Sequence, residues 1–461
     1  MIKRQNDLGN DPVRQLVLRL AIPSMLAQFV NVLYSIVDRM FIGNIPEVGE
    51  VALAGAGVCG PIVTLLSSFA FLVGIGGAPL MAMRQGEDNQ EGAEQILANC
   101  VVMLVTLAVA LTALFIGLRR PMLMWFGASE NTFPYATQSL TIYTLGTIFA
   151  ILTTGLNQFI ICQGFSTVAM VTVCIGAVMN IILDPIFIFL FDMGVSGAAL
   201  ATVISQACSC VFVVKFLFSL QARVRITFRG YSWRIMQRVV TFGLSPFVII
   251  ATDSILIIAM NTVLQRLGGQ ERGEMLITCL TIVQSYMQLV TLPLGGISSG
   301  TQPVLSFNFG AKRIDRIKEG YKEILKLAVL FCGVMFVLSQ TVSGLFVRIF
   351  TRVPEYVELS TWGIRVFTAG ILVLAFQYVF VDGFTALGIA KVAVSLSLFR
   401  KATFLACTLA FPMFWGAEAV FAAEPAADIF CGLVTITVYL LSIQRIYRKR
   451  MEMPDGQSLY S

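Results

Sequence analysis

The sequence contains no histidine among its 461 residues. Histidine titrates nearest to neutral pH and is the commonest ligand of transition metals, so any proton chemistry here must use carboxylates. The sequence also lacks an HExxH motif and a Walker loop. These absences argue against an enzyme inside the membrane and against an ATP-driven pump. We therefore predict a protein that is not an enzyme and that needs no cofactor.

Charged residues are scarce, at 13% of the chain, whereas 57% of the residues are hydrophobic. A chain of this length is then too apolar to be a soluble protein. Its net charge of +6 lies in particular loops, which indicates membrane orientation and argues against a nucleic-acid partner. The ten cysteines lie almost entirely in apolar runs, so we interpret them as small hydrophobic residues.

Long apolar runs dominate what is present. Each helix needs roughly 20 residues to cross a ~30 Å hydrocarbon core, and on that measure the sequence predicts about twelve spans. They fall near 15–42, 51–83, 95–118, 132–162, 167–191, 194–220, 239–265, 275–307, 321–350, 357–386, 391–415 and 418–445. The predicted fold class is an all-α polytopic membrane protein with twelve transmembrane helices.

Basic residues gather before the first span, after the sixth, after the eighth and after the last. They include Arg14, Arg19, Arg223, Arg225, Arg229, Arg234, Arg238, Lys312, Arg313, Arg316, Lys318, Lys322, Arg445, Arg448, Lys449 and Arg450. The opposite loops are poorer in lysine and arginine and carry acids such as Asp192 and Glu355. The positive-inside rule therefore predicts that both termini are cytoplasmic. We expect a multi-pass protein of the plasma membrane, which in a bacterium is the inner membrane.

The two halves of the sequence resemble each other. Three motifs recur at a spacing of about 220 residues, which is typical of a duplicated transporter. Ala21-Ile22-Pro23 matches Leu244-Ser245-Pro246, Pro79 to Gly86 matches Pro303 to Gly310, and Gln158 to Phe165 matches Gln377 to Phe384. We predict two pseudo-symmetric six-helix lobes, residues 1–222 and 223–461, with a central cleft between them.

The fifth span carries polar groups in an apolar run. Asn180 and Asp184 are one helical turn apart and share a face. Pro185 has no N–H, so the carbonyl of Ile181 loses its helical partner and the helix should kink beside the carboxylate. A lone aspartate at this depth is unfavourable by roughly 2.5–3.5 kcal/mol, so it should face a partner or a wet cavity.

Asp38, Asp184 and Thr202 are predicted to lie at similar depth. At 1.5 Å per residue, Asp184 and Thr202 are each roughly 10–12 Å from the outer ends of their spans, and Asp38 is near the outer end of the first. Two carboxylates close together raise one pKa or require a cation. The spacing therefore predicts that Asp38 and Asp184 bind a cation or a proton.

Other polar residues extend this pocket. Asn31, Ser35 and Asp38 follow an i, i+4, i+7 stripe, and Thr202 and Gln206 form a second one. For Ser35, Thr202 and Gln206, a purely structural role as hydrogen-bonding groups between helices is equally consistent with the pattern.

In combination, motifs from both halves resemble those of multidrug and toxic-compound extrusion (MATE) transporters, in the branch that includes DinF-like and MepA-like proteins. They are Asp38, Asn157-Gln158, Gln163-Gly164, Asn180, Asp184-Pro185, Gly197 to Thr202, Pro293-Leu294, Gln302-Pro303, Asn308-Phe309-Gly310, Glu424-Pro425 and Asp428. The resemblance implies export of amphipathic, often cationic compounds driven by an H⁺ or Na⁺ gradient.

The resemblance also implies roles for individual residues. The positions matching Asp38, Asn180, Asp184 and Thr202 would carry the coupling ion, with Na⁺ as one candidate. Those matching Asn31 and Asn157 would line the drug cavity. Related members place a carboxylate in the seventh span, where this chain has only Asp253 in a different register.

Glu424 and Asp428 are four residues apart around Pro425 in the last span. They either pair with Arg400 or Lys401 and fix helix packing, or help to bind a cationic substrate together with Asn31, Asn157 and Gln206. The former is the favoured interpretation.

An exporter of lipid-linked sugars, or a lipid flippase, is the alternative function on the same scaffold. Such a protein should line its cavity with arginine and lysine for pyrophosphate, whereas the interior spans here show acids and amides. We expect the partners to be small drugs or organic cations and the lipid bilayer, and the functional unit to be a monomer.

Overall fold

The computed structural model describes residues 6–43, 45, 49–125 and 133–452, and within these ranges the regular structure is entirely helical. The α-helices are α1 (Val13–Gly43), α2 (Gly49–Gly86), α3 (Gln90–Trp125), α4 (Phe133–Leu145), α5 (Thr147–Cys162), α6 (Ser166–Pro185), α7 (Gly194–Phe218), α8 (Trp233–Gly310), α9 (Ile314–Thr341), α10 (Ser343–Phe350), α11 (Pro354–Phe367), α12 (Ile371–Ala386), α13 (Ala390–Trp415) and α14 (Ala423–Glu452). A π-helix, Ile186–Leu190, follows α6, and a 3₁₀-helix, Ala417–Ala422, precedes α14.

The described helices provide up to twelve membrane spans. Nine are long and apolar enough to cross by themselves, and three more spans arise if each bent pair counts as one. The bends are 55° between α4 and α5, 47° near the start of α8 and 48° between α11 and α12. The twelve-helix, all-α prediction is confirmed, with the predicted spans 132–162 and 357–386 each consisting of two helices.

One helix runs through two predicted spans. The sequence predicts a break between 239–265 and 275–307, but α8 is helical over all 78 of its residues. A straight helix of that length would be about 117 Å long. Gly243 and Gly310, near its two ends, both contact the backbone of α2, at Leu72 and Met83 respectively. The chain therefore doubles back within α8, and residues 233–253 and 275–310 are separate candidate spans, in agreement with the two that the sequence predicts. What hydropathy does not indicate is that the segment connecting them is itself helical.

Each half of the chain supplies most of one apolar core, but the ends of two helices cross over. Leu16 and Leu20 of α1 pack in the core that is otherwise built from α8 to α14. Val224 and Val239 pack in the core built from α2 to α7. The core of each lobe thus includes residues from the beginning of the other half of the sequence, and these contacts connect the two lobes.

These crossings lie at one end of the bundle, which we call the terminal face and define by residues 6–11, 223–224, 308–316 and 450. There Arg223 Nη2 donates a hydrogen bond to the Asn6 carbonyl at 2.5 Å, and Arg313 Nη1 donates to the Gly9 carbonyl at 2.5 Å. Asn308 Nδ2 donates to the Leu8 carbonyl at 3.0 Å. Asn6 Nδ2 also donates to the Gly164 carbonyl of the first lobe at 2.8 Å, so the N-terminal segment bonds to both lobes at this face.

Candidate functional site

The first-lobe site begins where α6 loses its regular geometry. The α-helix ends at Pro185, and five residues in π-helical geometry follow, Ile186–Leu190. Proline removes one helical hydrogen bond, and single π turns within helices are frequent at functional sites. The predicted distortion beside Asp184 is therefore present as a change of helix type.

Asn180 connects the polar groups of this site. Its Nδ2 donates to Asp184 Oδ1 at 3.1 Å and to Thr202 Oγ1 at 3.3 Å. All three residues are buried, and Asp184 has no exposed surface. The hydroxyl of Thr202 in turn donates to the Ala198 carbonyl at 3.1 Å. The structure thus brings together three of the four residues that the sequence analysis assigned to ion coupling.

The fourth residue, Asp38, lies on α1 within charge-interaction range of Asp184. Asp184 Oδ2, the oxygen that Asn180 does not contact, is buried and accepts no hydrogen bond from a described residue, and the same holds for Asn180 Oδ1. A buried carboxylate oxygen without a donor is costly unless it is protonated or bound to a cation. The site therefore offers acceptor oxygens, next to a second carboxylate, for one proton or one small cation.

Two tyrosines that the sequence analysis missed complete the site. Tyr143 donates from its hydroxyl to Thr202 Oγ1 at 3.3 Å. The hydroxyls of Tyr34 and Tyr143 both lie within the electrostatic range of Asp38 and Asp184. Tyr34 is four residues before Asp38 on α1, and this spacing could have revealed it. Tyr143 precedes the α4–α5 bend, and no sequence pattern pointed to it.

A cavity of about 520 Å³ lies beside this site. Its wall includes six polar residues that the sequence analysis placed in the pocket or the drug cavity, namely Asn31, Ser35, Asn157, Asn180, Thr202 and Gln206. Gln288 and Ser299 of α8 contribute from the other half of the chain. Among the described residues that form the wall none carries a charge, so its polar character comes from amides and hydroxyls.

The amides of the wall are only partly satisfied. Asn157 Nδ2 donates to the Ala169 carbonyl at 3.3 Å, whereas its Oδ1 is buried without a hydrogen-bond donor among the described residues. Asn31 Nδ2 donates to Gln28 Oε1 at 3.3 Å. The backbone carbonyl of Gln206 accepts a hydrogen bond from Thr153 Oγ1 at 3.3 Å, which connects α7 to α5 beside the cavity. The wall can therefore both donate hydrogen bonds to a ligand and accept them.

Glu424 and Asp428 lie elsewhere, at the beginning of α14. Arg400 of α13 donates to Glu424 Oε1 at 2.6 Å and to Asp428 Oδ1 at 2.7 Å. Lys401 pairs instead with Asp253 of α8. Neither acid forms part of the cavity wall, so the structure gives them the contacts of the helix-packing interpretation.

Comparison with known proteins decides the family. The model of the MatE family matches residues 23–186 and 247–406, which together are most of the chain and fall once in each half. This chain belongs to the MatE family. As a MatE protein it is a multi-pass membrane protein, in agreement with the nine to twelve candidate spans among its described helices.

The curated relatives of this MatE chain include two staphylococcal proteins. It is 22% identical over 451 residues to the multidrug export protein MepA of Staphylococcus aureus, covering 96% of this chain and 97% of that protein. It is also 22% identical over 428 residues to MepA of Staphylococcus haemolyticus, covering 92% of each.

Solved structures share the fold of this MatE chain. One is described as the outward-facing conformation of a multidrug resistance MATE family transporter of the MOP superfamily, with a TM-score of 0.89 and 20% identity, covering 98% of this chain and 100% of that one. Another, a MOP superfamily transporter from Pyrococcus furiosus, has the same TM-score, identity and coverage and is described as having a binding pocket of reverse polarity.

Proposed function

We propose that this MatE protein is a secondary active multidrug efflux antiporter, which exports amphipathic, often cationic compounds in exchange for H⁺ or Na⁺. The named relatives are multidrug export proteins, which supports the transport of small organic compounds. The antiport mechanism is supported by the first-lobe site. It is a transporter and not an enzyme, and in this proposal it uses no cofactor beyond the coupling ion.

One observation carries the mechanism. Asn180 and Thr202 belong at once to the wall of the 520 Å³ cavity and to the hydrogen-bonded group around Asp184. A ligand in the cavity and an ion at the aspartates therefore share two side chains. Occupancy of one site must change the hydrogen bonding and the electrostatic potential available to the other.

The charges of the site set the direction of this coupling. The described cavity wall is uncharged, so the attraction for a cationic drug comes from Asp38 and Asp184 behind it. A proton or Na⁺ at these carboxylates neutralises that attraction. By linkage, the ion weakens drug binding by the same factor by which the drug weakens ion binding. Ion entry from outside would then release the drug outward.

The π-helical segment after Pro185 is the element that we propose to move. A helix with one missing hydrogen bond has two ways of satisfying its carbonyls, and binding an ion at Asp184 favours one of them. The change would narrow the cavity between α1 and α6. In this scheme both termini face the cytoplasm, the protein resides in the plasma membrane, and one chain is the functional unit.

Flipping of a lipid-linked oligosaccharide is the alternative, and the cavity argues against it. A pyrophosphate group requires arginine or lysine side chains, which bind phosphate with several donors. The described cavity wall includes neither residue type. A neutral wall backed by two carboxylates suits an organic cation or a neutral amphiphile better than an anion.

Equilibrium binding of ethidium, a monovalent aromatic cation, tests the competition directly. We expect the affinity of purified protein in detergent to fall as Na⁺ or acid is added, and the sensitive ion to be the coupling ion. Asp184→Asn should bind ethidium more weakly and independently of both ions. An ethidium affinity that neither Na⁺ nor acid changes in the native protein would contradict direct competition.

Transport in vesicles tests the energy source separately. Reconstituted protein should move ethidium when a Na⁺ gradient or an H⁺ gradient is imposed alone, and the effective gradient identifies the ion. In control vesicles a protonophore collapses the proton gradient, which should stop transport driven by H⁺ and leave transport driven by Na⁺ unchanged. Transport that requires neither gradient would contradict antiport.

A further inference from the structure

The second lobe contains a buried group of charges apart from the first-lobe site. Arg400 lies at its centre, where Nε donates to Asp428 Oδ1 at 3.0 Å, and Nη2 donates to the same oxygen at 2.7 Å and to Glu424 Oε1 at 2.6 Å. One guanidinium thus serves two carboxylates. We call Arg400, Glu424 and Asp428 the second-lobe triad.

The triad is not electrically balanced. Besides Arg400, Lys401 is the only basic side chain among the described residues that interact electrostatically with Asp428. Lys401 pairs with Asp253 of α8. The triad, Lys401 and Asp253 together comprise five ionisable groups, of which two are positive and three are negative. With every acid ionised, the group has a net charge of −1, and Asp428 has no exposed surface.

The geometry locates the uncompensated charge on one atom. Both hydrogen bonds from Arg400 reach Asp428 Oδ1, whereas Asp428 Oδ2 is buried and accepts none from a described residue. Gly370 packs closely against this residue, since a Cβ added at Gly370 would come within 2.8 Å of Asp428 Cβ. The other titratable groups that interact with Asp428 are Glu424 and Cys431 on α14, Tyr378 on α12 and Cys332 on α9. None of these supplies a hydrogen bond to Oδ2.

We propose that Asp428 carries a proton on Oδ2, so that the second lobe contains a proton site independent of Asp38 and Asp184. A proton needs a single oxygen and brings the group to neutrality. A metal cation would need several oxygens and would have to lie beside the guanidinium of Arg400. Burying a net anion is costly, so the protonated triad is the stable form inside the closed helix packing.

This site goes beyond the first-lobe exchange proposed above. Asp428 and Glu424 belong to α14, whereas Arg400 belongs to α13. Any movement of these helices that admits water to Oδ2 would favour release of the proton, because water stabilises the anion. The second lobe would then take up or release one proton with its conformational change, whichever ion the first lobe uses.

Infrared spectroscopy of protein labelled with ¹³C at the aspartate carboxyls tests the proposal, since a protonated carboxyl absorbs apart from a carboxylate. The spectra are recorded on Asp38→Asn/Asp184→Asn protein to remove the first-lobe signals. We expect a protonated-aspartate band that persists at neutral pH and loses one component in Asp428→Asn. Asp192→Asn is the matched control, because its exposed carboxylate lies outside this group of charges, and it should keep that component.

Glu424→Gln distinguishes protonation from packing and does not alter Asp428. In this variant Arg400 faces a single carboxylate, that of Asp428, so the group is neutral without a proton. The infrared component of protonated Asp428 should therefore disappear. A component that survives in Glu424→Gln, or a band that Asp428→Asn does not change, would overturn the proposal. So would Na⁺ binding, measured by calorimetry in the same background, that Asp428→Asn abolishes.

Discussion

Arg450, in the last turn of α14, donates a hydrogen bond at 2.8 Å to Glu87, which lies 363 residues before it and directly after α2. The same guanidinium donates to the carbonyls of Phe309 and Gly310 at 2.9 and 2.8 Å. Carbonyls at the end of a helix lack partners within that helix, so Arg450 also caps α8. Because α2 is in the first lobe and α14 in the second, Arg450 connects the two lobes at the terminal face.

Arg450→Met should weaken this connection between the two lobes. The variant leaves Glu87 Oε1 and the carbonyls of Phe309 and Gly310 without this donor, although Arg84 still pairs with Glu87 Oε2 at 2.8 Å, and an unsatisfied buried group costs about 1–3 kcal/mol. Double electron–electron resonance between labels at the exposed residues Glu91 and Lys318, on opposite lobes, should show longer and broader distances in the variant. Lys449→Met, which removes the same charge from an exposed neighbour, is the control and should leave the distances as they were.

Asp38→Asn and Asp184→Asn should each abolish gradient-driven transport while the protein is still expressed and inserted in the membrane. Each variant removes one of the two carboxylates that interact behind the cavity. Asp192→Asn, in the exposed loop before α7, is the control and should transport normally. Drug-resistance assays and membrane immunoblots measure both properties, and normal transport by both site variants would refute the assignment.

Pro185→Ala should impair coupling more than drug affinity. Alanine restores the backbone N–H, which favours a continuous α-helix over the π-helical segment Ile186–Leu190. No residue of that segment belongs to the described cavity wall, so ethidium should still bind. The measurements are the ethidium dissociation constant and the initial rate of gradient-driven transport. Equal losses in both would indicate that the segment merely shapes the cavity.

Gly243→Ala should destabilise the packing of α8 against α2. A Cβ at this position would overlap the backbone carbonyl of Leu72 in α2, so α8 and α2 could not approach as they do. Gly117→Ala is the control, because a Cβ there would meet no atom within 4 Å. Thermal unfolding in detergent should show a lower midpoint for Gly243→Ala alone. An unchanged midpoint would mean that the helices can separate at little cost.

The sequence by itself determined the membrane fold and its duplication. Apolar runs of about 20 residues can be satisfied only by helices that cross the bilayer, because backbone groups have no water partners there. Repeated motifs such as Pro79 to Gly86 and Pro303 to Gly310 identified the two halves. The costly placement of Asp184 in an apolar span identified a candidate site without any knowledge of its neighbours.

Only the tertiary structure decided which groups meet. Hydropathy does not indicate that the connection between the two spans of α8 is itself helical, because helix continuity depends on local hydrogen bonds and not on polarity. The contact of Tyr143 with Thr202 joins residues from α4 and α7 that have no common spacing in the sequence. The choice of Arg400 and not Lys401 as the partner of Asp428 depends on the direction in which each side chain leaves α13. Neighbouring residues on a helix differ by about 100° in that direction, so packing alone selects between them.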